Sequence, residues 1–354
     1  LLKRKIKIGW FLNMYDYLIV THIPAFYKIN LYNELAKRLK IFVIFISSDT
    51  SQKRSNNFSS VNDALFDYEV LYQGDFQKRK IFKNILAIQA ILSRVKFKRI
   101  LVSGWDLPEF WYIAFTSKKS KNCLALESTI FESSYKGLKG FIKKLFLSRI
   151  STVFASGSLH CDLLKALNFQ GEVKVTNGVG IINKPEFIKT QKKFSGRFLY
   201  IGRIVDIKNL KFIVEIFNAM PNFTLTIIGV GEQQEFLQSI SSKNIIFRGA
   251  VENKFIGAEF AKNDVFILPS LIEPWGLVVE EALYFGLPVL ISDRCGSSEL
   301  IKNGINGFIF DPTDKNSLMQ KIRNFDNEML QNLCSNANSY DINAKDTQQI
   351  SAYL

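Results

Sequence analysis

Four charged side chains in the second half of the chain have the types and spacing of a site for an anion and sugar hydroxyls. In YIGRIVDIKNL (200–210), Gly202 ends a strand-like run, Arg203 follows it, and Lys208 stands five residues later at a helix start. Cations at the carboxyl end of a strand, beside helix amides and the positive end of a helix dipole, suit a diphosphate. In EPWGLVVEEAL (273–283), Glu273 lies in the loop after an apolar strand, Gly276 opens a helix, and Glu281 falls in its second turn. Carboxylates in so apolar a stretch are costly unless hydrogen-bonded. Sugar hydroxyls can donate to Glu273 and a ribose diol to Glu281, while the amides after Gly276 face a phosphate. The plainer alternative makes Arg203 and Lys208 ordinary surface cations, Glu273 a helix cap, and Glu280 or Glu281 a solvated acid. Taken one motif at a time, the residues leave both readings open.

Other chemistries are excluded by pattern. GVGEQQ begins at Gly229, directly after a strand, but a dinucleotide fingerprint needs a glycine where Gln234 stands. Gly229 and Gly231 read instead as a tight turn with a close backbone approach. The chain has no P-loop, no Gly-x-Ser-x-Gly elbow, and no Asp-x-Asp pair for a metal-bound diphosphate. Only two histidines occur, His22 and His160, and the four cysteines have no Cys-x-x-Cys spacing, which argues against zinc. No cofactor or metal is expected. Scattered free thiols suit a reducing cytoplasm.

The elements that must hold these residues alternate between apolar runs and helix-period segments. Strands are expected at 15–21, 41–47, 99–104, 123–128 and 152–156, with helices at 28–39 and near 80–95 and a Ser/Asn-rich loop at 48–62. After VKVTNGVG (173–180), the stretch 181–196, with Pro185 and four lysines, reads as a linker. The pattern then restarts, with strands at 197–202, 223–229, 245–249, 264–270 and 288–292 and helices at 208–219, 232–241, 253–262 and 277–286. Strands apolar on both faces between helices imply parallel sheets covered on both sides. The expected architecture is α/β: two doubly wound, Rossmann-like domains, 1–180 and 197–325, facing a central cleft, with a polar, helix-like tail at 326–354. Ligands in such sheets bind beyond the carboxyl ends of the strands. Residues 1–13 of that first span are read as an extra segment ahead of the domain proper, and no secretory signal is read in them.

At 354 residues the chain is long enough for two domains of ~150 residues each. A composition that is 47% hydrophobic and 22% charged rules out disorder as the main description. The most apolar stretch, Gly276–Ile291, is interrupted by Glu280 and Glu281 and does not read as a membrane span. The net charge of +14 is unevenly placed: residues 1–180 hold 28 Lys and Arg against 13 Asp and Glu, whereas residues 181–354 hold 18 against 19. A compositional skew would spread over both halves, so the first half is expected to meet an acidic partner. Its sharpest feature is YKGLKGFIKKLFLSRI (135–150). At helical spacing, Leu138, Phe141, Ile142 and Leu145 form one stripe, with Lys136, Lys139, Lys143 and Lys144 mostly to the other side. That helix either lies in a membrane interface, with Lys139, Lys143 and Lys144 facing anionic lipid, or covers a sheet with its lysines in water.

The order of motifs links these fragments. Gly-Arg, then Lys, a Gly-x-Gly turn, two glutamates separated by seven residues, and GLPVLISDRCGSSELIKNGINGFIFDP together resemble retaining glycosyltransferase family 4, across residues 173–323 and including TNGVG. THIPAFYKINLYNELAKRL resembles the first loop and helix of members that begin with His-x-Pro, although the glycine pair common there is absent. The resemblance implies the two-domain GT-B fold and metal-independent transfer of a sugar from a nucleotide-diphosphate donor with retention. By the same resemblance, Arg203 and Lys208 hold the diphosphate, Glu273 binds donor-sugar hydroxyls, and Glu281 binds the ribose. Gly202, Gly276, Leu277 and Val278 would then line the donor, and Val251 would lie near the base. Many members carry a histidine where this chain has Glu127 and Ser128, so these two and Asp106 are the acceptor-side candidates. The expected acceptor is a lipid-linked glycan of bacterial surface polysaccharide, such as lipopolysaccharide. The enzyme would be cytoplasmic and peripheral to the inner membrane, with no nucleic-acid partner. A nucleotide-sugar epimerase of the same fold and a non-catalytic basic adaptor for membrane or nucleic acid are the rival readings.

Overall fold

Apolar runs with β-branched and aromatic residues at successive positions can bury both faces of a strand only inside a covered sheet, and the chain builds two such sheets. The structure, a computed structural model, describes residues 4–5, 14–51, 59–187 and 193–354. It divides into two units. The first takes the described residues up to Ile181 together with Lys345–Leu354, and the second takes Ile182–Ala344.

The first sheet has eight strands: β1 (Arg4–Lys5), β2 (Tyr15–Thr21), β3 (Ile41–Asp49), β4 (Asp67–Asp75), β5 (Phe97–Val102), β6 (Asn122–Leu126), β7 (Thr152–Ala155) and β8 (Glu172–Val175). Their order is β1-β4-β3-β2-β5-β6-β7-β8, and every pairing is parallel except that of β1 with β4. The two-residue side-chain alternation of a strand sorts the core in two. Leu18, Val20, Phe42 and Ile44 enter one buried cluster, whereas Tyr17, Ile19, Val43 and Phe45 enter the other. Helices cover both faces, among them Phe26–Ala36, Ile81–Arg94 and Gly137–Leu147.

The second sheet has six parallel strands: β9 (Arg197–Ile201), β10 (Thr224–Ile228), β11 (Ile245–Gly249), β12 (Val265–Leu268), β13 (Val289–Ser292) and β14 (Gly307–Phe310). Their order is β11-β10-β9-β12-β13-β14. The chain winds outward from β9 in one direction, then returns to place β12 on the other side of β9. The crevice at the carboxyl ends of β9 and β12 is the topological switch point, where doubly wound sheets bind ligands. In the first sheet the equivalent neighbours are β2 and β5. Both sheets are thus the doubly wound, Rossmann-like α/β arrangement that the alternation predicts.

Several boundaries differ from the sequence expectations. Arg4–Lys5 join the first sheet through β4; the rest of 1–13 preceding Tyr15 lies outside the described residues, as do residues 52–58 of the 48–62 loop. Ile181 and Ile182, at the start of the expected linker, are buried, and the Ile181 amide donates to the Tyr27 carbonyl at 3.1 Å. Residues 188–192 of that linker lie outside the described residues. The tail also divides. Helix Asn327–Asn338 packs Leu330 and Leu333 into the second core, while the end of helix Ile342–Ser351 belongs to the first unit. There Tyr353 stacks on Phe154 with ring centroids 4.4 Å apart, and the Tyr17 hydroxyl donates to the Tyr353 carbonyl. Among the described residues, no helix is long and apolar enough to cross a membrane.

Candidate functional site

Glycine makes the strand ends of the second sheet possible. Gly229 has φ +138°, and a Cβ there would lie 1.8 Å from the Gly202 carbonyl oxygen; one at Gly231 would lie 2.1 Å from the Ile204 carbonyl oxygen. The turns after β9 and β10 are therefore pressed together at a distance only glycine permits, as the Gly-x-Gly spacing suggests. Behind them, the fully buried Tyr200 passes its hydroxyl to the Arg203 carbonyl at 2.8 Å. That bond fixes the turn carrying Arg203, which is exposed.

The loop after β9 continues through a short 3-10 turn, Asp206–Lys208, and Asn209 in the left-handed conformation, to helix Leu210–Asn218. The loop after β12 is tied to it by backbone bonds, because the Leu271 and Ile272 amides both donate to the Ile207 carbonyl, at 2.9 and 3.4 Å. The consequence is that the Lys208 ammonium and the Glu273 carboxylate, 65 residues apart, meet in an ion pair. Lys208 is buried and Glu273 half-buried. Glu273 is further fixed by its own carbonyl, which accepts from the Gly296 amide at 2.9 Å. It does not cap the following helix. The N-cap is Gly276, at φ +92° and without a side-chain cap. A Cβ at Gly276 would crowd Leu268, Ser297 and Glu273 at 3.1–3.2 Å. The first amides of helix Leu277–Tyr284, those of the half-buried Leu277 and Val278, are thus left with no side chain capping them from the loop.

Neither acid of the Glu280–Glu281 pair is solvated, contrary to the plainer reading. Glu280 is fully buried and accepts from the Trp275 indole at 2.6 Å. The Glu281 carboxyl is buried, and its pKa is pushed up to about 8, first by burial and then by the neighbouring Glu280 charge. An unfolded glutamate loses its proton near pH ~4.3. Between that pH and about 8, the folded chain holds a proton that the unfolded chain has released, so stability falls as pH rises through this window. Glu281→Gln removes the proton uptake. Thermal melts from pH 5 to 8.5 should fall less steeply for this variant than for the natural chain; equal slopes would show that Glu281 ionises freely in the fold.

Val251 lies past the end of β11 and packs against the second core. The acceptor-side candidates sit in the first unit, beyond the carboxyl ends of β5 and β6. Glu127 is paired at 2.8 Å with Lys28, which is buried and also donates to Thr21 Oγ1 at 3.3 Å. Ser128 is half-buried beside it. Asp106 is exposed and shares a hydrogen bond of 2.9 Å with His22, which follows β2. Both pairs bridge residues far apart in sequence. The sequence alone does not single out His22 and Lys28, although both lie in THIPAFYKIN, because only strand adjacency gives them their partners Asp106 and Glu127. His160 is buried, and its pKa is lowered to about 4 by burial, so it is neutral near pH 7. No group of three or more His, Cys, Asp or Glu side chains suited to a metal ion occurs among the described residues.

Helix Gly137–Leu147 corrects one residue of the lysine set. The Lys143 ammonium donates to Ser133 Oγ and to the Ser134 carbonyl, each at 2.6 Å, so Lys143 is turned onto the protein and does not face outward. Lys139 and Lys144 are exposed.

Comparison with known proteins bears on the fold and on the second half of the chain. Residues 183–341 match the family described as glycosyl transferases group 1. A Klebsiella pneumoniae protein named "Uncharacterized 41.2 kDa protein in cps region" is 30% identical over 124 residues, 34% of each chain. The match to other curated relatives also spans only part of them, 25% and 33% of their lengths. Among solved structures, sucrose-phosphate synthase from Thermosynechococcus elongatus superposes with a TM-score of 0.74 at 16% identity, over 94% of this chain and 97% of that one. The apo lipopolysaccharide outer core galactosyltransferase WaaB gives 0.67 at 15% identity, over 96% and 99%. At such identities, these two likenesses speak for the fold.

Proposed function

From a second unit that carries a glycosyl transferases group 1 region, we propose that this protein is a retaining, metal-independent hexosyltransferase of the GT-B type that uses a nucleotide-diphosphate sugar. The observation that carries the reading is the Lys208–Glu273 pair at the switch point between β9 and β12. Lys208 and Arg203 bind the diphosphate, and the amides of Leu277 and Val278 add partial positive charge at a helix start. Glu273 accepts hydrogen bonds from the donor-sugar hydroxyls while holding the Lys208 ammonium in place. Glu281 takes the ribose diol, Gly202 and Gly276 let the backbone approach the donor, and Val251 lies toward the base.

In the reaction, the bond between the anomeric carbon and the phosphate oxygen breaks, and its electron pair passes to the diphosphate. The acceptor hydroxyl bonds to the same face of that carbon, and its proton goes to the departing phosphate. Arg203 and Lys208 meet the charge as it develops, which lowers the barrier because they are already oriented. With two protein cations on the diphosphate, no metal ion is required. Glu127, Ser128 and Asp106 are the acceptor-side residues.

The acceptor we propose is a lipid-linked glycan of bacterial surface polysaccharide, met at the cytoplasmic face of the inner membrane. Support comes from the cps-region relative, from the lipopolysaccharide galactosyltransferase of like fold, and from the positive charge confined to the first half of the chain. The test is a thermal-shift screen of nucleotide sugars, followed by transfer assays in excess chelator with the product anomer assigned by NMR. One nucleotide sugar should stabilise the protein and yield a glycosylated product of unchanged anomeric configuration. Isomerised donor, an inverted linkage or chelator-sensitive turnover would each refute the corresponding part.

A further inference from the structure

Helix Gly137–Leu147 is apolar on the side it turns to solvent as well as on the side it packs. Its packed side carries Gly140, Phe146 and Leu147, with the tethered Lys143 between them. A Cβ on Gly140 would lie 2.2 Å from the Tyr135 carbonyl oxygen, so the lead-in to the helix presses on this side, and Phe146 is fully buried against Trp111. The opposite side carries Leu138, Phe141, Ile142 and Leu145, at the i, i+3, i+4, i+7 spacing of one helical stripe. They are 74%, 64%, 42% and 44% exposed. Lys139 and Lys144 flank the stripe, and from Ser133 to Cys161 the sequence has five Lys and Arg and no Asp or Glu.

We propose that this face is the membrane-docking surface of the protein, with the four apolar side chains inserted between anionic lipid headgroups and Lys139 and Lys144 bound to those headgroups. The proposal rests on the reading of a lipid-borne acceptor and adds to it a mode of attachment, apolar insertion, and the residues that make it. Charge selects the occupant. A symmetric contact between two copies would bring like-charged lysines together, whereas an anionic bilayer offers an apolar layer beneath a negative surface. Lys143 takes no part.

Co-sedimentation of the full chain with phosphatidylglycerol/phosphatidylcholine vesicles tests this. The natural chain should partition onto them and only weakly onto phosphatidylcholine alone. L138S/F141S should lose roughly a hundredfold in partitioning, at high salt as well as low, because two large apolar groups no longer leave water. K139Q/K144Q should lose about fivefold per lysine at low salt, and K143Q should partition as the natural chain does. All four substituted side chains of the two double variants are exposed, so their melting temperatures and thermal response to nucleoside diphosphate should stay unchanged. Undiminished partitioning of L138S/F141S overturns the proposal. So does a concentration-dependent dimer in light scattering that this variant abolishes. Vesicle binding without any sugar transfer would sink the enzymatic reading and leave this face standing; sugar transfer by a chain that ignores vesicles would do the reverse.

Discussion

Glu273→Gln should lower sugar transfer by about a hundred- to a thousandfold, the range seen when one preorganised group at a reacting centre is removed. The amide keeps the size of the side chain, but it can no longer take hydroxyl hydrogen bonds on two anionic oxygens or balance the Lys208 charge. Glu273→Ala should be as inactive and also less stable, because it strands a buried ammonium. Stranding a fully buried charge costs about 3–5 kcal/mol; both partners here keep an exposed edge, so the loss should be smaller and the chain should remain folded. Turnover and melting temperature, measured on both variants, separate the two effects. Near-normal turnover in Glu273→Gln removes this residue from the chemistry, whatever the melts show.

Lys208→Ala is the second large effect. A hydrogen bond to a charged group is worth about 1.5–3 kcal/mol, so affinity for the nucleoside diphosphate should fall by roughly ten- to a hundredfold. Turnover should fall further, because the leaving diphosphate carries more charge in the transition state than in the bound donor. Calorimetry with the nucleoside diphosphate reads the first loss and steady-state kinetics the second. Unchanged affinity would count against Lys208 as a diphosphate ligand and leave its ion pair with Glu273 a structural one. The pair also explains how a lysine can wait, mostly buried, in a site without its anion: Glu273 supplies the countercharge, and the ammonium has further protons to give when a phosphate arrives.

Much of the frame can be read along the chain, because a strand buried on both faces must be apolar at successive positions. Tyr15–Thr21 and Ile245–Gly249 match their expected spans, and most other strands differ only at their ends. The strand Asp67–Asp75 escaped notice because its second half is only partly buried and its apolar run is broken by Glu69 and Gln73. Gly307–Phe310, an edge strand that starts on a glycine and is only partly buried at Phe308 and Ile309, does not stand out from the loop around it. The resemblance carried by the order of motifs groups Arg203, Lys208, Glu273 and Glu281 as a set, and the Gly-x-Gly spacing marks Gly229 and Gly231 as a close approach. The contacts among them are another matter.

Local pattern, then, settles the α/β alternation, the two doubly wound units, the basic first half and the amphipathic character of 137–147, since each depends on residues a few positions apart. Lys208 against Glu273, Asp106 against His22, Lys28 against Glu127, and the outward turn of Leu138 and Phe141 depend on which strands lie side by side and which helix face is pressed on the sheet. Those are long-range choices, made by packing two buried faces at once, and no periodicity within a single segment encodes them.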